Sequence, residues 1–290
     1  MTAERTPYRT RMLRALEYID QHLDDPLTLD RVSGIAAFSR FHFHRQFTAT
    51  FGVSVHRYIQ LARMKRAAHR LAFRTHDRVT AIALEAGYDA PDAFARAFRR
   101  LFGQSPSAFR AKPDWAPWQN AFTPLDHARS QRMPSPYTNG DVVIRTTAAI
   151  PVAIMEHRGP AATLGATIQR FIAWRKANHL PPATSPTFTV WRGAQTEADC
   201  SMDLCVGTDR ALASPDGTIR TGEIPGGRCA VLRVTGHTDN LEPAALFLYR
   251  TWLPASGEEL RDFPLYCQRL RFFPDVPEHA AVAELFLPLK

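Results

Sequence analysis

The sequence has only four cysteines in 290 residues. That is too few for a disulfide scaffold, and neither a CxxC pair nor a zinc-ligand spacing occurs. Cys200 and Cys205 stand five apart, which on a strand puts them on opposite faces, and all four cysteines read as reduced packing residues. No apolar run is long enough to span a bilayer. The N-terminal stretch MTAERTPYRTR has no apolar signal region behind its charges, so a cytoplasmic protein with no membrane partner is expected. A GxSxG elbow, an HExxH pair and a P-loop are all missing, and no catalytic residue or cofactor is expected. His42 and His44 are two apart on a helix and do not share a face, so no metal site is expected there. Glycine and proline are missing from residues 54–73, which therefore read as one continuous helix, about 30 Å long at 1.5 Å per residue.

Positive charge is present but unevenly placed. Residues 1–112 carry 19 Lys+Arg against 10 Asp+Glu, whereas the remaining 178 residues carry 17 against 18. The whole formal excess of +8 thus lies in the first part of the chain. A basic domain joined to a neutral one implies a polyanion partner for the first and a different task for the second. The length allows at least two domains.

Within the basic part, the stretch 78–110 reads as two short helices joined by a tight turn, followed by a third. Ile82, Ala83 and Ala86 form an apolar stripe that Gly87 ends in a left-handed cap. Asp89 or Asp92 can cap the next helix. That helix places Phe94, Phe98 and Leu101 on one face and Ala95, Arg96, Arg99 and Arg100 mostly on the other. An apolar back with an arginine-bearing front suits a helix lying in a DNA major groove. A helical bundle with a solvated basic face is the plain alternative. Ser105-Pro106 then starts another helix, with serine as cap and proline as first helical residue.

Upstream, residues 9–24 form an amphipathic helix and Thr28 caps a second. Ser39 caps a third, whose Phe43, Phe47, Phe51, Gly52 and Ser54 match Phe94, Phe98, Phe102, Gly103 and Ser105 at a constant offset of 51. Val32 and Ile82 match at 50. This is an internal repeat, two helix-turn-helix units in tandem. The long helix between them, made basic by Arg63, Lys65, Arg66 and Arg70, is close in length to one turn of B-DNA, about 34 Å.

The motif Ile82-Ala83, Gly87-Tyr88, Phe94, Phe98, Phe102-Gly103, Ser105-Pro106, Phe109-Arg110 resembles the signature of the AraC/XylS transcription regulators, and the resemblance runs over residues 9–110. It implies that Phe41, His44 and Arg45 face bases, with Arg40 and Thr48 beside them. It implies the same for Asp92, Ala95 and Arg96 on the second helix, with Pro91 beside them. Arg45 can bond guanine in bidentate fashion, and Phe41 can lie on a thymine methyl. Arg99 and Arg100 are phosphate candidates. The implied partners are double-stranded DNA and RNA polymerase.

Residues 113–140 are rich in proline and read as a linker, ordered in part because Trp115, Trp118 and Phe122 favour burial. An exposed aromatic binding site is the alternative. From 141 to 290 the elements run strand–strand–helix–strand–strand twice. Ala153-Ile154-Met155 matches Ala230-Val231-Leu232, and Gly159 matches Gly236, at an offset of 77. Two such units can form a curved antiparallel sheet with both helices on one face, leaving a ligand cleft between the halves. The expected fold class is therefore multidomain, all-α then α+β.

This second part, through HRGP at 157–160, Gly236, Trp252-Leu253-Pro254 and Asp262-Phe263-Pro264-Leu265-Tyr266, resembles the GyrI-like effector-binding domain. Trp191, Tyr249, Trp252, Tyr266 and Cys267 are the pocket candidates for a small-molecule effector. The family pattern commonly has glutamate where this chain has Cys267. Either the effector is neutral, or an acid such as Glu223 or Glu156 substitutes, or the pocket binds nothing. Other readings are a protein-interaction module and a hydrolase of the same scaffold, with Cys267 beside His157 or His237. The reading taken is a ligand-modulated transcriptional activator.

Overall fold

The computed structural model describes residues 7–74, 76–130, 137–195, 200–212, 214, 216–236, 241–273 and 275–290. His237 lies outside the described residues. The chain divides into two units, Met1–Pro134 and Ser135–Lys290.

In the first unit, α1 (Pro7–Gln21), α2 (Leu29–Ile35) and α3 (Arg40–Phe51) precede the long α4 (Val55–Phe73). The shorter α5 (Val79–Glu85), α6 (Pro91–Phe102) and α7 (Pro106–Ala111) follow it. Thr28, Ser39, Ser54 and Ser105 each accept from the amide three residues on, satisfying a free N–H at the start of α2, α3, α4 and α7. Gly52 and Gly103 end α3 and α6 in the left-handed conformation. The cap of α6 differs from expectation. Neither Asp89 nor Asp92 caps it; Ala90 takes the N-cap position without a side-chain bond, and Pro91 opens the helix. Because proline has no amide to satisfy, the absence of a capping side chain costs less here.

Residues expected to be a linker instead continue the helical unit. Ala116–Ser130 form α8, which packs against α4 and α6. Trp115, Phe122, Leu125 and Ala128 are buried, with Trp118 partly buried beside them. Pro124 removes one bond from the helix interior, and the buried aromatic surface offsets that loss at about 2–3 kcal/mol per large side chain.

The second unit is an eight-stranded antiparallel sheet. Its strands are β1 (Val142–Thr147), β2 (Ile150–Gly159), β3 (Thr187–Gln195), β4 (Cys200–Gly207), β5 (Arg220–Ile224), β6 (Gly227–Thr235), β7 (Tyr266–Arg271) and β8 (Val282–Pro288). Helix α9 (Leu164–Ala177) joins β2 to β3. Between β6 and β7 run α10 (Glu242–Phe247), a π-helical turn over Leu248–Trp252 and α11 (Leu253–Ser256). In that turn the Leu253 amide reaches back five residues to the Leu248 carbonyl.

Spatial order is β1-β6-β8-β7-β3-β4-β2-β5. It reads the same from either end once each strand is exchanged for its counterpart in the other repeat. The first strand of each repeat has crossed over: β1 pairs with β6, and β5 pairs with β2. Yet β1 ends at Thr147 and β2 starts at Ile150, and β5 ends at Ile224 just before β6 starts at Gly227. Three Cα–Cα steps reach about 11 Å, whereas six strand spacings on a flat sheet come to about 29 Å. The sheet must therefore curl until its ends meet. Gly226 marks the meeting: a Cβ there would lie 2.6 Å from the Ala149 nitrogen and 2.9 Å from the Thr147 carbonyl oxygen.

The curl explains why an apolar cluster of Val152, Ile154, Phe188, Val231, Tyr266 and Phe286 is buried on the face away from the helices. The outer face packs α9 through Phe171 and α10 through Phe247. Each repeat also holds an acid at the equivalent strand position, on the inner face. Asp203 accepts from Arg192 at 2.7 Å and Arg220 at 2.9 Å, and Glu284 accepts from Arg145 at 2.6 Å. On the outer side Arg175, buried at the end of α9, donates to the carbonyls of Leu180 and Ser185 and to the Thr187 hydroxyl. Burial lowers its pKa to about 10.

Candidate nucleic-acid interface and ligand site

Phe43, Phe47 and Phe51 point inward from α3, and Phe94, Phe98 and Phe102 point inward from α6. All six are buried, so the orientation of each helix is fixed from behind. The outward faces are then determined by the 3.6-residue period. On α3, Arg40, Phe41, His44, Arg45 and Thr48 are exposed. Phe41 is 85% exposed, an unusual state for a phenylalanine. Arg40 is paired with Asp30. The Thr48 hydroxyl donates to the His44 carbonyl at 3.0 Å. On α6, Asp92, Arg96, Arg99 and Arg100 are exposed, and Ala95 is half-buried.

The arginines of this unit fall into two sets, a division the sequence does not reveal. Arg63, expected among the residues that make α4 basic, donates to the carbonyls of Leu23 and Asp25, both at 2.9 Å. Burial is the main reason its pKa falls below the ordinary value. Arg66 reaches Asp24 and the Glu85 carbonyl, Arg70 reaches Asp77 and Glu85, and Arg110 donates to the Asp77 carbonyl. These four fasten α4 and α7 to their neighbours. Among the described residues, Arg45, Arg96, Arg99 and Arg100 have no ion pair or side-chain hydrogen bond. They project from the outward faces of α3 and α6, where cations can meet phosphates and base edges.

The effector candidates do not form one group. Trp252 and Cys267 are buried in the outer-face cluster, with Trp191 packed against it. Tyr249 sits on the π-helical turn, 39% exposed. Tyr266 is on the inner face, its ring stacked on Phe286 at 4.8 Å and 4°. Tyr266 and Cys267 are neighbours on β7, and neighbours on a strand point to opposite faces. The inner face carries a depression of about 220 Å³, lined by Tyr266, Phe188, Phe286, Ile150, Gln268 and the Arg145–Glu284 pair among others. The acid at this depression is Glu284. Glu223 is exposed on β5, and Glu156 is paired with Arg158. Burial raises the pKa of both the Cys267 thiol and the Tyr266 phenol. His157 does not stand with Cys267 in the structure's hydrogen bonding. Its Nδ1 lies 2.9 Å from the Thr167 hydroxyl, while Cys267 bonds Thr189.

Two helix-turn-helix units with free cations on both outward helices, ahead of a duplicated curled sheet, define a two-part DNA-binding regulator. Residues 32–112 match the helix-turn-helix domain of the AraC type, and residues 140–290 match the GyrI-like small molecule binding domain. The chain belongs to the GyrI-like family, joined here to that DNA-binding domain. It is 33% identical over 153 residues to the probable transcriptional regulator YgiV of Escherichia coli K12, covering 51% of this chain and 96% of YgiV. It is 35% identical over 101 residues to the right origin-binding protein of the same organism, 35% of each chain. Among solved structures, the EcmrR–DNA complex aligns with 92% of this chain and 85% of its own at 12% identity and a TM-score of 0.45. Among the described residues no helix is long and apolar enough to cross a membrane.

Proposed function

We propose that this regulator reads DNA with α3, places α6 on the adjacent groove, and activates transcription under control of a small hydrophobic or amphipathic effector. The observation that carries the DNA part is the set of unpaired cations and the exposed Phe41 on helices fixed from behind by six phenylalanines. Arg45 is the base reader with Phe41 and His44, and Arg99 and Arg100 meet phosphates. The second outward face, with Asp92 and Ala95, offers fewer donors and favours shape and backbone contacts. RNA polymerase is the partner through which binding becomes activation.

Selection of bound sequences from a random DNA pool at near-physiological salt tests this. Two short preferred blocks about one helical turn apart are expected. Binding that is salt-sensitive but sequence-blind would reduce the basic unit to an electrostatic binder.

For the effector, the inner-face depression is the favoured site. Tyr266, Phe188 and Phe286 offer stacking surface, and the Arg145–Glu284 pair offers both signs of charge to a polar end. An effector acts only by preferring one state of the protein over another. A panel of small amphipathic aromatics should contain one that raises the melting temperature of the wild type and not that of Tyr266→Ala. A ligand whose effect survives Tyr266→Ala and is lost in Trp252→Ala would move the site to the outer face.

A further inference from the structure

Helix α8 lies outside the helix-turn-helix repeat, yet it touches α6 of the second copy and the helices α1 and α4 that flank the first. Its first half packs on the second copy: Trp118 stacks with Phe102 at 5.9 Å, and Phe122 lies 5.8 Å from the same ring. Phe102 is the last residue of α6. Midway, Asp126 pairs with Lys65 of α4 at 3.3 Å. The far end reaches α1 and α4, which flank the first copy. Arg129 donates to Asp20 of α1 at 3.0 Å and to the Tyr58 hydroxyl at 3.2 Å, and Tyr58 itself donates to Asp20 at 2.8 Å. The Tyr58 ring in turn meets Phe47 of α3 edge-on at 5.9 Å. An unbroken series of contacts therefore runs from the root of one outward helix to the root of the other. Asp20 is 3% exposed, and removing one partner of such a buried ion pair is strongly destabilising because it leaves the other charge uncompensated.

We propose that α8 is a brace that sets the spacing and angle between α3 and α6, and that Arg129 is its positioning residue. The proposal rests on the reading of α3 and α6 as the DNA-facing helices. Without α8, α4 alone would join the two copies. An end-to-end rod fixes distance better than rotation, whereas a second member attached at α6 and at α1 fixes both. In sequence, eight positions separate Arg129 from Tyr137, the first described residue after Ser130. A series of contacts is not by itself coupling, so the test measures coupling.

The full chain is compared as wild type, Arg129→Met and Tyr58→Phe, the last keeping the ring on Phe47 while removing the hydroxyl. Each is titrated against the selected two-block site, the same site with one base pair inserted between the blocks, and a site with one block scrambled. Wild type should lose about a hundredfold on the inserted site. The variants should bind the native site about tenfold more weakly, lose only a few-fold more on insertion, and match wild type on the scrambled-block site. The combined Arg129→Met/Tyr58→Phe chain should show an insertion penalty no larger than either single variant, because each substitution removes a different partner of Asp20. Folded variants that keep the full insertion penalty, or that weaken equally on all three sites, overturn the proposal. If Arg129→Met does not fold, Tyr58→Phe and Phe122→Leu decide it by the same criteria. A wild type without any preferred sequence would instead overturn the DNA reading itself, a result separate from preferred blocks whose spacing the variants leave unchanged.

Discussion

Ala37 occupies in the first helix-turn-helix the place that Gly87 occupies in the second. Both have positive φ, +51° and +84°. Both follow the same bonding: the Ala37 and Gly87 amides reach Gly34 and Leu84, and the next amides, of Phe38 and Tyr88, reach Ser33 and Ala83. The turn is a left-handed helix cap used twice, once with a residue that tolerates it and once with one that does not.

Ala37→Gly should therefore stabilise the first unit by about 1 kcal/mol, the strain of a non-glycine residue in this conformation less the entropy glycine brings to the unfolded chain. Gly87→Ala should do the opposite and cost more, about 2–3 kcal/mol, because its Cβ would lie 2.6 Å from the Arg63 guanidinium nitrogen. Urea unfolding of the full chain measures both; equal and small shifts would show that the strain is relieved elsewhere.

At Gly226 the constraint is space rather than φ. A methyl group there meets the backbone of Thr147, Ala148 and Ala149, and backbone cannot rotate away. Gly226→Ala should destabilise the second unit by about 3 kcal/mol, while Gly217→Ala, with open space but φ of +72°, should cost about 1 kcal/mol. A reversal of that order in thermal melts would contradict the crossing of the two connections.

Arg45→Ala and Arg99→Ala should separate base reading from phosphate binding. The first should relax preference at one position of the site at a cost of about 1–3 kcal/mol. The second should weaken specific and scrambled DNA alike and lower the salt slope by about 1. Equal losses on both DNAs for Arg45→Ala would remove it from the base-reading set.

A fragment ending at residue 112 keeps both helix-turn-helix units but lacks α8, whereas one ending at 134 retains it. Loss of the α8 contacts exposes the Phe102 and Phe109 surface that Trp115, Trp118 and Phe122 cover. The longer fragment should bind its site specifically. The shorter should melt about 10 °C lower, given the several large side chains uncovered. Identical melting of the two would mean α8 adds nothing to the unit.

His157 gives the second unit a pH dependence of known sign. Burial lowers its pKa below the ordinary 6.5, and its Nε2 is buried without a hydrogen bond. Below about pH 6.5 the unfolded chain takes up a proton that the folded chain resists. Stability is therefore fully present above that pH and falls as acid is added, until the folded histidine protonates as well. His157→Gln should flatten this part of the stability profile; an unchanged profile would assign the slope to other groups.

Much of this was legible from the sequence because local rules govern it. Serine caps, the glycine ends of α3 and α6 and the phenylalanine spacing are settled within a few residues, so the repeat and its outward faces could be read directly. The eight strands followed from alternation and the 77-residue offset. What was hidden depends on partners distant in the chain. Prolines 117 and 124 obscured α8, although Trp115, Trp118, Phe122 and Leu125 already recur at helical spacing. Grouping Tyr266 with Cys267 ignored the strand period that separates them. No local signal distinguishes the fastened Arg63 from the free Arg45, since only the carbonyls of Leu23 and Asp25, about forty residues away, make the difference.

The crossed first strands of the sheet have one more consequence. Because β1 lies in the second repeat's half and β5 in the first's, the halves clasp each other, as two hands do with interlaced thumbs. One copy of the repeat could not close its own sheet. It could do so only by trading strands with a twin, so an unduplicated ancestor of this unit would be an intertwined pair. The same clasp ties the two connections to each other, where Gly226 lies against the backbone of Thr147, Ala148 and Ala149.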